Sequence, residues 1–106
     1  MFNKEQAEKV AREYADEVVK ELEPKSIVLY GSYAKGTQSI NSDIDVAVIY
    51  DGFKGDWLKT SALLWKLSSK INLDIEPILL DMSKDSSGFV QNIFSTGQII
   101  YNNDAI

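Results

Sequence analysis

The first stretch of the chain repeats its apolar positions with a helical period. Ala7, Val10, Ala11, Tyr14, Ala15, Val18, Val19 and Leu22 recur at three- and four-residue spacing, with Glu, Lys and Arg between them. Asn3 followed by Gln6 predicts a capping box, and Pro24 stops the helix after Glu23. The β-branched run Ser26-Ile27-Val28-Leu29-Tyr30 predicts a buried strand that ends abruptly at Gly31-Ser32. A polar stretch with Gly36 follows, a turn or short helix opening at Ser32. Ile44, Val46, Val48 and Tyr50 alternate with Asp45, Ala47 and Ile49, which predicts a second strand with Asp43 at its start.

Asp51 to Gly55 reads as a turn, and Asp56 as the cap of a second long helix. Trp57, Leu64, Trp65, Ser68 and Ile71 share one side of that helix, widened by Leu58 and Leu67, so both Trp residues are expected in the core. Leu73 to Leu80 predicts a third strand, in which Pro77 must lack a ladder bond or sit at an edge or a bulge. A third helix falls between Met82 and Ser95, carrying Phe89, Val90, Ile93 and Phe94 inward, with Gly97 as its C-cap. Gln98 to Tyr101 adds a closing strand. Strands one and two, joined by a short loop, are expected antiparallel; strands two and three, separated by a helix, parallel. The fold class is therefore α/β (α+β), a small mixed sheet flanked by helices.

Composition narrows the chemistry. With 106 residues, 44% hydrophobic and 25% charged, the chain has room for a single domain over residues 1–106. The chain has no Cys and no His. That removes disulfides, thiolate zinc sites, cysteine nucleophiles and the Ser–His–Asp triad, and leaves oxygen as the ligand for any metal. Sixteen acidic residues against eleven basic give a net charge of −5, which disfavours a phosphate-backbone binder, so nucleic acid is not an expected partner. No apolar run reaches the length of a membrane span, and the first residues lack the plan of a secretory signal. A soluble, cytoplasmic protein is expected.

One stretch is far more specific than the rest: Gly31-Ser32-Tyr33-Ala34-Lys35-Gly36-Thr37, then Ser42-Asp43-Ile44-Asp45-Val46. A glycine where a strand turns into a helix lets backbone N–H groups approach a phosphate, with the Ser32 hydroxyl as an added donor. Asp43 and Asp45 stand two apart on a strand, so their carboxylates share a face about 6.8 Å apart. Two such carboxylates can hold divalent cations, and phosphoryl transfer commonly uses a metal pair. Taken singly, Gly-Ser is an ordinary turn and Asp-Ile-Asp an ordinary solvated strand start. Together they place a phosphate cradle beside an acidic pair.

The stretch from Gly31 to Val46 resembles the signature of the DNA polymerase β-like nucleotidyltransferase superfamily, and its finer form resembles the minimal nucleotidyltransferases of bacteria and archaea. The resemblance implies that Gly31 and Ser32 bind the triphosphate of ATP and that Asp43 and Asp45 are catalytic ligands of two Mg2+ ions, with Mn2+ a substitute. It implies a third carboxylate on the next strand, where Glu76 is favoured and Asp74 is the alternative. The resemblance implies that Glu76 binds the catalytic metal ion and helps deprotonate an acceptor hydroxyl that receives AMP. The resemblance further implies a protein acceptor, in a toxin–antitoxin system whose transferase pairs with a small helical HEPN-type protein, or a homo-oligomer. Two other readings stand beside it: a nucleotide-binding module that regulates its partner by contact alone, and a structural domain stabilised by calcium or magnesium.

Overall fold

The computed structural model describes residues 3–38 and 43–104. Ser42 of the motif lies outside them. The elements follow in the order α1 (Lys4–Glu21), β1 (Ser26–Tyr30), α2 (Ser32–Lys35), β2 (Ile44–Tyr50), α3 (Trp57–Ile71), β3 (Ile75–Asp81), α4 (Phe89–Thr96) and β4 (Gln98–Asn102), with a 3-10 turn at Met82–Lys84 before α4. The four strands form one sheet in the order β3-β2-β1-β4. β1 runs antiparallel to β2 and β4, whereas β2 and β3 run parallel. The parallel pair follows from α3, because a crossover helix returns the chain to the same end of the sheet.

Alternation along β2 divides the core. Ile44, Val46 and Val48 face α1 and α3, where they pack with Tyr14, Val18, Ile27, Leu29, Leu64 and Leu67. Ala47 and Ile49 face the other way, with Val28 and with Val90 and Ile93 of α4. Asp45 belongs to this second face by period. The first face is covered by helices of 18 and 15 residues, the second by one of only 8. The second face is therefore the open side of the sheet.

Local signals account for the element ends. Asn3 Oδ1 accepts from the Gln6 N–H at 2.8 Å while Gln6 returns a bond to the Asn3 N–H, closing the capping box. Asp56 caps α3 by accepting from the Lys59 N–H at 3.0 Å. The Tyr14 hydroxyl donates to the Leu64 carbonyl at 2.9 Å, tying α1 to α3 inside the core, and its burial raises the phenol far above its ordinary value. Gly97 follows α4 with an extended backbone, so its conformation would suit any residue. Its requirement is space: a Cβ there would meet the Ile93 carbonyl, Val28 and the Leu29 carbonyl, none farther than 2.8 Å.

The structure departs from the sequence expectations at several points, and α1 ends at Glu21, two residues before the expected Glu23. Trp57, Trp65 and Leu58 are 41%, 50% and 79% exposed, so the buried stripe of α3 narrows to Leu64, Leu67 and Ser68. Phe89 is likewise at the surface and Phe94 only partly buried. β3 begins at Ile75, not Leu73, and Leu73 is exposed. Its register with β2 is continuous from Ile75 to Asp81, so Pro77 causes no bulge. Of the alternatives expected for Pro77, the edge position holds, because β3 is an outer strand of the sheet. The one register irregularity lies between β1 and β4, at Ile27 and Val28.

Asp81, at the end of β3, is a bracing residue that the sequence pattern did not single out. Its carboxylate accepts from the N–H groups of Gly52, Phe53 and Ser83 and from the Ser83 hydroxyl, at 2.6–3.0 Å. Burial works to raise its pKa, but the Ser83 hydroxyl and the three N–H donors prevail and hold it far below the carboxylate range. The stability this confers is complete above the ordinary aspartate range and is lost as pH falls through the depressed value. Asp81→Ala is expected to cost roughly 2–4 kcal/mol at pH 7, because it leaves several donors unpaired. Urea denaturation should show that gap narrowing as the pH is lowered below the ordinary aspartate range.

Candidate functional site

β1 delivers Tyr30 and Gly31 to the end of the sheet at which β2 starts. Gly31 has φ 75° and ψ −150°, a conformation open essentially to glycine alone. A Cβ at this position would also run into the Asp45 carboxylate. Backbone geometry and close approach thus demand the same residue. Ser32 opens α2, a single turn anchored by the buried Tyr33 and ended by Gly36 in the left-handed conformation. The Lys35 N–H donates to the Gly31 carbonyl at 3.2 Å, and the Thr37 N–H to the Ser32 carbonyl at 2.9 Å. Ser32 is half-buried, whereas Lys35 is exposed.

The strand register sets the carboxylates side by side. Asp45 is opposite Tyr30 on one flank and opposite Glu76 on the other. Asp43 stands two residues earlier, on the same side, just before β2 begins. Asp74 is placed differently. It precedes β3, donates its N–H to Asn72 Oδ1 at 2.8 Å and accepts from the Ile44 N–H at 2.8 Å, so its backbone closes the approach to the strand. Of the two acids considered for the third position, the register puts Glu76 next to Asp45.

These groups feel one another strongly. The Glu76 carboxyl is raised by a hydrogen bond shared with Asp43, then by loss of water, then by the charges of Asp43 and Asp45. Asp45 is raised by burial and by the charge of Asp43. Tyr30 is pushed up to about 12 by burial and by the charges of Asp45 and Glu76. Its ring meets Phe89 of α4 edge-on, with centroids 6.3 Å apart. Neither aromatic was singled out for the site in the sequence. Position alone marks them: Tyr30 directly precedes the glycine, and Phe89 opens α4, which covers this face of the sheet.

The donor set is all oxygen and suits magnesium-class cations, which commonly take one or two carboxylates and complete their shell with phosphates and water. Among the described residues no three acidic side chains converge into a closed metal cage. Asp43, Asp45 and Glu76 instead form an open, mutually repelling edge beside a glycine that a side chain would obstruct. An edge of this kind is suited to a cation that arrives with phosphate oxygens of its own.

A nucleotidyltransferase core is the class of protein that this sheet and site define. Residues 12–106 match the polymerase β nucleotidyltransferase family, and the chain belongs to it. It is 36% identical over 77 residues to the protein adenylyltransferase MntA of Shewanella oneidensis, a match spanning 71% of this chain. The chain spans about half of that relative's length, 52%. A solved toxin–antitoxin structure with AMP-PNP superposes at a TM-score of 0.63 with 29% identity, covering 89% of this chain and 75% of that one. A solved MntA–HpeT toxin–antitoxin structure, a double Asp-to-Glu variant with the two positions two residues apart, superposes at a TM-score of 0.62 with 28% identity and the same coverage.

Two outcomes test this geometry without any ligand. The protonated form of Asp45 is favoured by folding, so its contribution is full below the ordinary aspartate pKa and is lost as pH rises through the raised value. At pH 7 the ionised group therefore weakens the fold. Asp45→Asn should melt above the wild type at pH 7. The two should converge near pH 3 by calorimetry. Gly31→Ala should lower stability by about 1–3 kcal/mol through its backbone conformation, measured by urea denaturation with circular dichroism confirming the fold.

Proposed function

We propose that this protein transfers AMP from ATP to a hydroxyl group on a protein, with divalent cations, as the antitoxin of a toxin–antitoxin pair whose other member is a small helical HEPN-type protein. The observation that carries the reading is the register of Asp45 with Glu76, set against Gly31, where a Cβ would strike the Asp45 carboxylate. The MntA relative and the toxin–antitoxin structures support the choice of acceptor class and partner.

The roles follow from the positions. Gly31 and Ser32 hold the β- and γ-phosphates through backbone N–H groups and the Ser32 hydroxyl. Asp43 and Asp45 carry the negative charge that would hold two Mg2+ or Mn2+ ions with the triphosphate. Such ions, when bound, neutralise the phosphates and stabilise the charge that develops on the leaving pyrophosphate. Glu76 lies on the edge strand and is exposed, so an acceptor can reach it from outside the sheet. It takes the proton of the acceptor hydroxyl. The freed oxygen attacks the α-phosphorus, the bond to the bridging oxygen breaks, and pyrophosphate departs. Among the described residues no helix is long and apolar enough to cross a membrane, and a cytoplasmic site of action agrees with the ATP requirement.

Glu76→Gln should abolish transfer of label from α-labelled ATP to the purified partner, while the rise in melting temperature produced by ATP and Mg2+ survives. Asp43→Asn or Asp45→Asn should remove that rise as well. Asp74→Asn should keep most of the transfer activity, because its backbone rather than its carboxylate is engaged. Loss of transfer with Asp74→Asn and retention with Glu76→Gln would reverse the assignment. A wild type that binds ATP but transfers to no acceptor would favour a module acting by contact alone.

A further inference from the structure

The outer side of α1, remote from the carboxylates, carries a charge pattern that the fold only partly uses. Glu8, Arg12, Asp16 and Lys20 recur every four residues and so form one stripe of alternating sign. The stripe borders a groove of about 480 Å3 between α1 and β4, lined by Val19, Ile100 and Tyr101 together with Arg12, Asp16 and Lys20. β4 is the edge strand on this side and contains neither a charge nor a proline. The opposite edge strand, β3, holds Glu76, Pro77 and Asp81, residue types that shield an edge from association. The Arg12 guanidinium reaches the Ile100 carbonyl at 3.5 Å, at the residue that the β1–β4 register skips. A partner therefore meets the helix stripe here rather than a free strand ladder.

Inside the chain the stripe is satisfied unevenly. Arg12 Nε and Nη2 donate to the Glu8 carboxylate at 3.2 and 2.8 Å, and Lys20 turns to Glu17 at 3.1 Å. Opposite charges four apart support a helix from within. Asp16, flanked by both cations, is nevertheless exposed and makes no hydrogen bond or ion pair among the described residues. A guanidinium has five N–H donors, so Arg12 has capacity for a second carboxylate. The chain carries −5 overall, whereas the two acids and two bases of the stripe cancel. Two copies can approach here without the repulsion that separates them elsewhere.

Two-fold symmetry singles out what complements such a stripe. Set antiparallel against its own copy about the point midway between Arg12 and Asp16, the stripe opposes Glu8 to Lys20 and Arg12 to Asp16, each pair twice. All four positions then meet the opposite sign. Centred on Arg12 it opposes Glu8 to Asp16, and centred on Asp16 it opposes Arg12 to Lys20, like to like. The self-complementary register is centred beside Ile100, the middle residue of β4, which Arg12 touches. We infer that the α1–β4 face is a contact between two copies of this chain, related by a two-fold axis passing between Arg12 and Asp16. Arg12 of each copy takes Asp16 of the other, and the half-buried Val19, Ile100 and Tyr101 are covered in the process. The apolar residues supply affinity, and the charges fix the register and exclude wrong partners. Asp45 and Glu76 lie two and three strands away from β4, so both sites stay open.

The mass of the full chain in solution tests this. Sedimentation equilibrium should show a dimer that dissociates on dilution. Asp16→Arg and Arg12→Glu each set like charges against each other across the axis, and each should raise the dissociation constant by roughly tenfold or more. Mixed in equal amounts, the two variants should dimerise about as tightly as the wild type. In the mixed pair the native Arg12 of one copy meets the native Asp16 of the other, and the two introduced side chains meet with opposite sign. A charge that acted only within its own helix would not respond to mixing, and circular dichroism confirms that each variant is folded. A wild type that stays monomeric up to about 1 mM would overturn the inference. So would a dimer that both single variants leave intact, or one that mixing fails to restore.

Discussion

Like charge held at short range by strand register is the constraint on which the rest of this structure depends. Asp45 and Glu76 are neighbours across the parallel pair β2–β3, and the charges of Asp43 and Asp45 help to raise the Glu76 carboxyl above its ordinary value. Backbone hydrogen bonding fixes that arrangement whatever the side chains prefer, so the acids cannot relax apart without breaking the ladder. The protein therefore keeps a locally unfavourable edge. On the function proposed above, that repulsion would be relieved by cations arriving with the phosphates of the nucleotide.

Topology explains why the pieces meet. The antiparallel turn from β1 to β2 brings the end of β1, with Gly31, beside the start of β2, with Asp45. The crossover through α3 then makes β3 parallel, so its start falls beside the start of β2 as well. Had β3 returned by a hairpin, Glu76 would lie at the opposite end of the sheet. α3 is thus part of the site's construction even though none of its residues touches the carboxylates, and the same helix leaves its tryptophans on the outer edge.

The two faces of the sheet divide the work. Long helices α1 and α3 cover one face and bury most of the apolar surface, with Tyr14 bonded across them. On the other face α4 covers Ala47 and Ile49, while Asp45 and Tyr30 remain half-buried and Glu76 exposed. Asp81 shows that a carboxylate in this fold can also serve structure alone. Surrounded by four donors, it is stabilised as an anion, whereas Asp45 and Glu76, beside other acids, are destabilised as anions. Residue type is the same; the neighbours decide the role.

The sequence by itself determined the elements and their sense. Asn3 with Gln6, Pro24, Gly31, Asp56 and Gly97 mark boundaries through capping, backbone freedom and packing that act within a few residues. The period of two along Ile44 to Tyr50 already assigns Asp45 to the face of Ala47 and Ile49. Loop length and the intervening helix separate antiparallel from parallel pairing. What only the tertiary structure decided involves distant residues or a boundary between buried and open surface. Asp74 and Glu76 look equivalent in a one-dimensional pattern, and the β2–β3 register alone tells which stands opposite Asp45. Trp57, Trp65 and Phe89 have the hydrophobicity of core residues, and the helical period places them near the core face. Their exposure is settled by where α3 and α4 cross the edge strand and by how far the sheet extends beneath them. Periodicity gives the direction of a side chain from its own helix or strand, but not whether anything lies in that direction.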